Sequence, residues 1–132
     1  MPQLPNVPGI TFRSFRGASD YPHFARIITA WAKGQGEDLV ETAESIESGY
    51  SNLERCDPER DLLVVEVDGQ PIAYGRVWWD QEVAGPRCYE QVCFLDPAFG
   101  GRGIGSALFA WNAERLREIA AEQDAPDKML EV

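Results

Sequence analysis

The chain has 132 residues, 44% of them hydrophobic and 11% aromatic, which is enough for one domain with a true core and too apolar for a disordered segment. Its formal net charge of −10 lacks the positive footprint that nonspecific nucleic-acid binding or adhesion to an anionic membrane requires. No window reaches the ~20 apolar residues of a membrane span, and MPQLPNVPGI has neither the basic region nor the apolar run of a signal peptide.

Residues 1–9 read as an N-terminal tail and residues 10–132 as one domain. Residues 10–15 alternate in polarity as a short strand does. Gly17, Ala18 and Ser19 interrupt it, and Ser19 or Asp20 is placed to cap a helix with Pro22 in its first turn. Phe24, Ile27, Ile28 and Trp31 give that helix an apolar stripe, and Gly34, Gln35 and Gly36 end it. His23, the one histidine, reads as a surface residue in the first turn, so no histidine-rich metal site exists and no metal is expected. A weaker helix is expected over residues 42–53, with Ile46, Tyr50 and Leu53 on one face.

The middle of the chain is β. "DLLVVEV" (61–67) and "IAYGRVWWD" (72–80) flank Asp68-Gly69, a strong hairpin signal. Trp78 and Trp79 then point to opposite faces, one into the core and the other toward a pocket or an interface. A looser connection through Ala84, Gly85 and Pro86 leads to a strand over residues 88–95. Cys56, Cys88 and Cys93 lack metal-ligand spacing and read as reduced thiols of a cytoplasmic protein. A helix over residues 104–122, with Ile104, Leu108, Trp111 and Ile119 as its stripe, precedes "KMLEV", the start of a strand. That strand would lie parallel to the one at 88–95 after a helical crossover. The order β-α-α-β-β-β-α-β predicts a mixed α/β (α+β) layer, with helices covering a largely antiparallel sheet. An open edge at "KMLEV" invites either a longer polypeptide or a partner, most simply a second copy in a homodimer.

Between the strand at 88–95 and the last helix, four of the twelve glycines (Gly100, Gly101, Gly103, Gly105) fall within six residues. Strand, glycine turn and helix N-terminus together make an anion site, because the first helical N–H groups have no intrahelical partner and carry the positive end of the helix dipole. Arg102 adds a charged donor and Ser106 a hydroxyl. The segment is not a P-loop, since Gly105 is followed by Ser106-Ala107 with no lysine. Nor does it fit the dinucleotide pattern, because Ser106 occupies the last glycine's place and the preceding strands form an antiparallel meander. A nucleotide-binding module of another fold is therefore the least supported reading.

"LDPAFGGRGIGSAL" resembles the acyl-coenzyme A loop of the GNAT N-acetyltransferase superfamily. Leu95-Asp96-Pro97 matches the strand exit, Gly103-Ile104-Gly105 the G-x-G, and Arg102 the second basic residue; the element order agrees from residue 10 to 132. Gly100 stands where the family usually carries Arg or Gln. The resemblance implies a GNAT-like acyl-CoA N-acyltransferase fold and acetyl-CoA or coenzyme A as cosubstrate without a metal. It further implies a pyrophosphate held by Gly100, Gly101, Arg102, Gly103, Ile104, Gly105 and Ser106. Backbone groups of Phe94 and Leu95 would pair with the pantetheine arm. The implied reaction is transfer of an acetyl group to a small primary amine by direct attack. Family members continue with a helix and two strands that often supply a tyrosine acid, so the domain at 10–132 is expected to be truncated at its C-terminal end, or to belong to a tandem chain with a second GNAT domain.

Direct attack needs a proton acceptor and an oxyanion stabiliser but no covalent nucleophile. Glu90 is the candidate base, the alternative being a solvent-facing strand residue. Tyr89 and Gln91 would exchange places with it on a one-residue slip of register. Cys93 has no basic partner that the sequence can place beside it and reads as core. The alternative at the level of the domain is a noncatalytic acyl-CoA-binding GNAT-like unit, or the scaffold half of a tandem protein.

Overall fold

Period-2 alternation and one tight turn organise the sheet. In the computed structural model, which describes residues 7–53, 55–81 and 83–123 and the backbone of 128–130, Asp68 and Gly69 both take positive φ (52° and 79°). This is the primed-turn geometry that matches the twist of the strands it joins. The turn links β2 (Leu62–Val67) to β3 (Gln70–Gln81). β1 (Ile10–Ser14) pairs on the outer side of β2, and β4 (Arg87–Leu95) on the outer side of β3, all antiparallel. β5 (Lys128–Leu130) lies parallel to β4, so the spatial order is β1-β2-β3-β4-β5.

Helices cover both faces. α1 (Tyr21–Gly34) and α2 (Ala43–Tyr50) lie on one, where Phe24, Ile27, Ile28 and Ile46 pack on Leu62, Val64 and Tyr74. α4 (Ile104–Gln123) covers the other, setting Ile104 and Leu108 on Leu63, Val65, Ile72 and Ala73, and Leu116 and Ile119 on Val77 and Tyr89. Val7, within the expected tail, is buried on the α4 side. No helix among the described residues is long and apolar enough to cross a membrane.

Several local expectations are corrected. Asp20 occupies the N-cap position of α1, with Pro22 in the first turn, but its side chain makes no capping bond, and Ser19 belongs to a 3₁₀ turn, Gly17–Asp20, that precedes the helix. Asp20 is instead 1% exposed and accepts from both Arg13 amino groups (2.7 and 3.0 Å) and from the Arg16 N–H (2.8 Å). α2 ends at Tyr50, leaving Leu53 outside it; Thr42 and Ser45 close a reciprocal capping box at its start. Asp61 is not the first residue of a strand. It ends a short helical turn, α3 (Pro58–Asp61), and pairs with Arg115 at 2.8 Å with both side chains buried. In α4, Trp111 is only half-buried, while Asn112 and Leu116 are fully enclosed. Gly75 makes room for Asn112, since a Cβ there would sit 2.9 Å from its carboxamide oxygen.

Candidate active site

β4 carries the candidate chemistry because its two halves are paired differently. Residues 87–89 are flanked by β3 on one side and β5 on the other. From 91 to 95 the pairing on the described chain comes from β3 alone. Alternation then decides which backbone groups face the open side. The Asp96 N–H donates to Ile72 O (2.9 Å), so Phe94, two residues earlier and opposite Tyr74, also turns its backbone groups toward β3. Those of Cys93 and Leu95 point outward. Of the two residues expected to offer backbone groups, Leu95 is placed to do so. Phe94 instead contributes its ring, 5.4 Å from Tyr74 and edge-on to Trp31 at 5.2 Å.

After β4, Asp96 caps a 3₁₀ turn, Pro97–Phe99, by accepting from the Ala98 N–H at 3.0 Å. Gly100 is committed to that turn, its N–H donating to Pro97 O (3.1 Å). From there to the helix the amides are free: among the described residues no acceptor takes the N–H of residues 101–106, and the first helical bond is Ala107 N–H to Gly103 O at 3.1 Å. Gly101 (φ 76°) and Gly103 (φ 82°) hold the left-handed backbone that folds these amides into a concavity. Ile104, fully buried, anchors the loop to the core, whereas Arg102 and Ser106 are exposed. The Arg102 guanidinium lies 5.8 Å from the Phe99 ring and has no ion-pair partner among the described residues. A row of unpartnered N–H groups at a helix start, with one free cation beside it, suits a phosphate or pyrophosphate.

The other candidate groups divide between the faces of β4. Glu90, Val92 and Phe94 face α1 and α2; Tyr89, Gln91, Cys93 and Leu95 face α4. Glu90 is opposite Trp78, whose Nε1–H donates to Oε2 at 2.7 Å, so its carboxylate is held in place and half-exposed. Trp79, on the opposite face, packs with Val77 and Leu116. Cys93 is partly buried: burial pushes its thiol up to about 11, and Asn112 Nδ2 lies 3.1 Å from Sγ. It is protonated at neutral pH, and no base lies beside it among the described residues. Asn112 Nδ2 also donates to Val92 O and Gln91 Oε1, both at 3.1 Å, which pins β4 where its second neighbour departs.

On the α1–α2 face, the face that Glu90 shares, is a 280 Å³ pocket whose members no single stretch of sequence brings together. Tyr74, Val92 and Phe94 form its floor, Tyr50 and Ile46 of α2 one wall, and Arg76 lies within it. The forward signals were Tyr50 on its helix face and the Trp78-Trp79 pair; the members include residues of α1, α2, β3, β4 and the loop that holds Glu41.

A family model described as "Acetyltransferase (GNAT) family" matches residues 26–132. No curated protein sequence matches significantly. Among solved structures, a GCN5-related N-acetyltransferase from Sphaerobacter thermophilus is similar at TM-score 0.75 and 23% identity, covering 90% of this chain and 35% of its own. A GNAT family acetyltransferase from Brucella melitensis, in complex with acetyl-CoA, is similar at TM-score 0.61 and 18% identity, covering 92% and 74%. The ribosomal-protein-S18-alanine N-acetyltransferase from Escherichia coli is similar at 0.56 and 17%, covering 84% and 61%. The chain thus spans about a third of the Sphaerobacter protein, and at these identities the likeness is one of fold.

Proposed function

Since the chain belongs to the GNAT acetyltransferase family, we propose that it is an N-acetyltransferase that binds acetyl-CoA along β4 and passes the acetyl group to a small primary amine. The observation that carries this reading is the run of unpartnered N–H groups at residues 101–106 with Arg102 beside it. In this reading the pyrophosphate lies on those amides, with Ser106 adding a hydroxyl. The outward backbone groups of Cys93 and Leu95 meet the pantetheine arm, an added strand on an open edge. The Brucella complex supports the choice of ligand.

Acetyl-CoA supplies an activated acyl thioester. The protein's part is to hold that thioester beside the amine, to offer outward N–H groups of β4 to the acyl oxygen as charge develops there, and to accept a proton. Glu90, fixed by Trp78, accepts the proton that the amine loses as its new C–N bond replaces the thioester C–S bond, whose electron pair leaves with coenzyme A as the thiolate. A second reading, binding without transfer, draws on Gly100, which has no side chain to offer and whose N–H is already committed.

Calorimetry with coenzyme A tests the binding site. Ser106→Asp leaves every φ angle unchanged but sets a carboxylate against the phosphates; Gly103→Val forces a branched side chain into φ 82°. Both should weaken coenzyme A by about tenfold or more, the effect of losing or opposing a charge-assisted bond. Parent affinity in a folded Ser106→Asp variant would remove the pyrophosphate from this loop.

A further inference from the structure

The pocket on the α1–α2 face holds a charge that acetyl transfer alone does not require. Arg76 projects from β3 with its guanidinium 4.6 Å from the Trp78 ring and 5.5 Å from the Tyr50 ring. The rings fix it in place, yet among the described residues no carboxylate lies within ion-pair distance of it, although Arg13, Arg55 and Arg115 each have at least one. Beside it, the Tyr50 hydroxyl is buried and makes no well-formed hydrogen bond among the described residues, with Tyr74 and Arg76 as its polar neighbours. Burial pushes that phenol up to about 12, so it remains a neutral donor at physiological pH. A buried donor without an acceptor is costly, and a half-buried guanidinium without a counter-ion is costly as well. Two such groups converging on one small pocket make a receptor for an anion, and the planar fork of arginine matches a carboxylate.

The remaining walls say what accompanies the anion. Ile28, Ile46, Val92 and Phe94 are apolar, so the body of the ligand is compact and at least partly hydrocarbon. Glu41 is the single carboxylate of the lining, partly exposed, and favours entry of a protonated amine. At 280 Å³ the space lies at the lower limit of the ~300–1,000 Å³ typical of small-molecule sites. That is room for an amino acid.

We infer that the acceptor is a small primary amine that also bears a carboxylate, bound with that carboxylate against Arg76 and the Tyr50 hydroxyl. The inference rests on the reading of this protein as an acetyltransferase and adds the class of its acceptor. Glu90 and Arg76 both contact Trp78 on this face of the sheet, so a ligand whose carboxylate is at Arg76 has the proposed proton acceptor nearby.

The test uses matched probes, each standard amino acid and β-alanine together with its carboxamide, with coenzyme A release from acetyl-CoA as the readout. For the best acceptor the acid should exceed its amide in kcat/KM by at least about tenfold, mostly through KM. Arg76→Gln should bring the acid-to-amide ratio close to one, and Tyr50→Phe, which keeps the ring, should lower it several-fold. Amides that serve as well as acids, or a preference that survives Arg76→Gln in a folded variant, would overturn the inference. If no probe is acetylated although coenzyme A binds, it is the transfer reading that fails. The acceptor site is then read by calorimetry in the presence of coenzyme A. Binding of an acid but not its amide sustains it, and binding of neither overturns it.

Discussion

The two faces of the sheet each carry a pocket, and they use their arginines in opposite ways. On the α4 side a 340 Å³ cavity is lined by Arg55, Arg60 and Arg115, and each of these meets a carboxylate: Asp80 at 2.6 Å, Glu122 at 3.9 Å and Asp61 at 2.8 Å. On the α1–α2 side Arg76 lies against the Trp78 and Tyr50 rings and meets no carboxylate among the described residues. A guanidinium already matched by the chain's own anions has little left to offer a ligand; its removal is felt in folding. One that is positioned but unmatched keeps its charge for something that arrives later. The larger cavity is therefore the less informative one, and the smaller, with its incomplete electrostatics, is where recognition is expected.

The largest effect expected on the recognition side is at Glu90. Glu90→Gln keeps the shape and the Trp78 contact while removing the proton acceptor, and should lower kcat by ~10²–10⁴-fold with coenzyme A affinity unchanged. Steady-state turnover paired with calorimetry checks this. Turnover equal to the parent's would reduce Glu90 to a strand residue and favour binding without transfer.

Next in size is the contrast between the arginines themselves. Arg115→Met would leave Asp61, 5% exposed, as an uncompensated buried charge, a loss of ~3–5 kcal/mol in urea unfolding. Arg76→Met strands no carboxylate among the described residues and retains stacking bulk, so it should cost under ~1 kcal/mol. Equal losses at both positions would erase the distinction between matched and unmatched arginines, and with it the case for Arg76 as a recognition group.

What was legible in the sequence follows from the range of each interaction. The Asp68-Gly69 turn, the alternation of β2 to β4 and the glycine loop are encoded within a few residues, and all can be found in the chain without knowledge of what packs where. The parallel placement of β5 followed from the crossover rule. The charge pairs were not legible, because Arg115 and Asp61 are 54 residues apart, Arg13 and Glu66 53, and nothing local joins them. The acceptor pocket is hidden for the same reason: Tyr50, Arg76 and Val92 converge only once β3 and β4 are in register. Asn112 was within reach, since a period of 3.6 places it and Leu116 in line with Ile104 and Leu108, but a polar residue in an apolar stripe reads as exposed until Gly75 is seen to vacate its space.

A third arginine sharpens the comparison through pH. Burial by itself would raise the carboxyl of Asp20, but the hydrogen bonds from Arg13 and the Arg16 N–H outweigh it and hold the group below its ordinary value. A carboxyl depressed on folding contributes stability that is complete above its unfolded value, about 4, and is lost as pH falls from there through the folded value. The parent should therefore be more stable than Asp20→Asn at pH 7, and the gap should narrow as pH drops below about 4. Urea midpoints for both proteins, taken from pH 7 to the acid limit of folding, measure it. A gap that stayed constant across the range would mean that Arg13 gains no more from the ionised Asp20 than from an amide. Arg13 would then be matched by Glu66, its other carboxylate at 2.8 Å, and Asp20 would count as a hydrogen-bond acceptor rather than as a counter-charge.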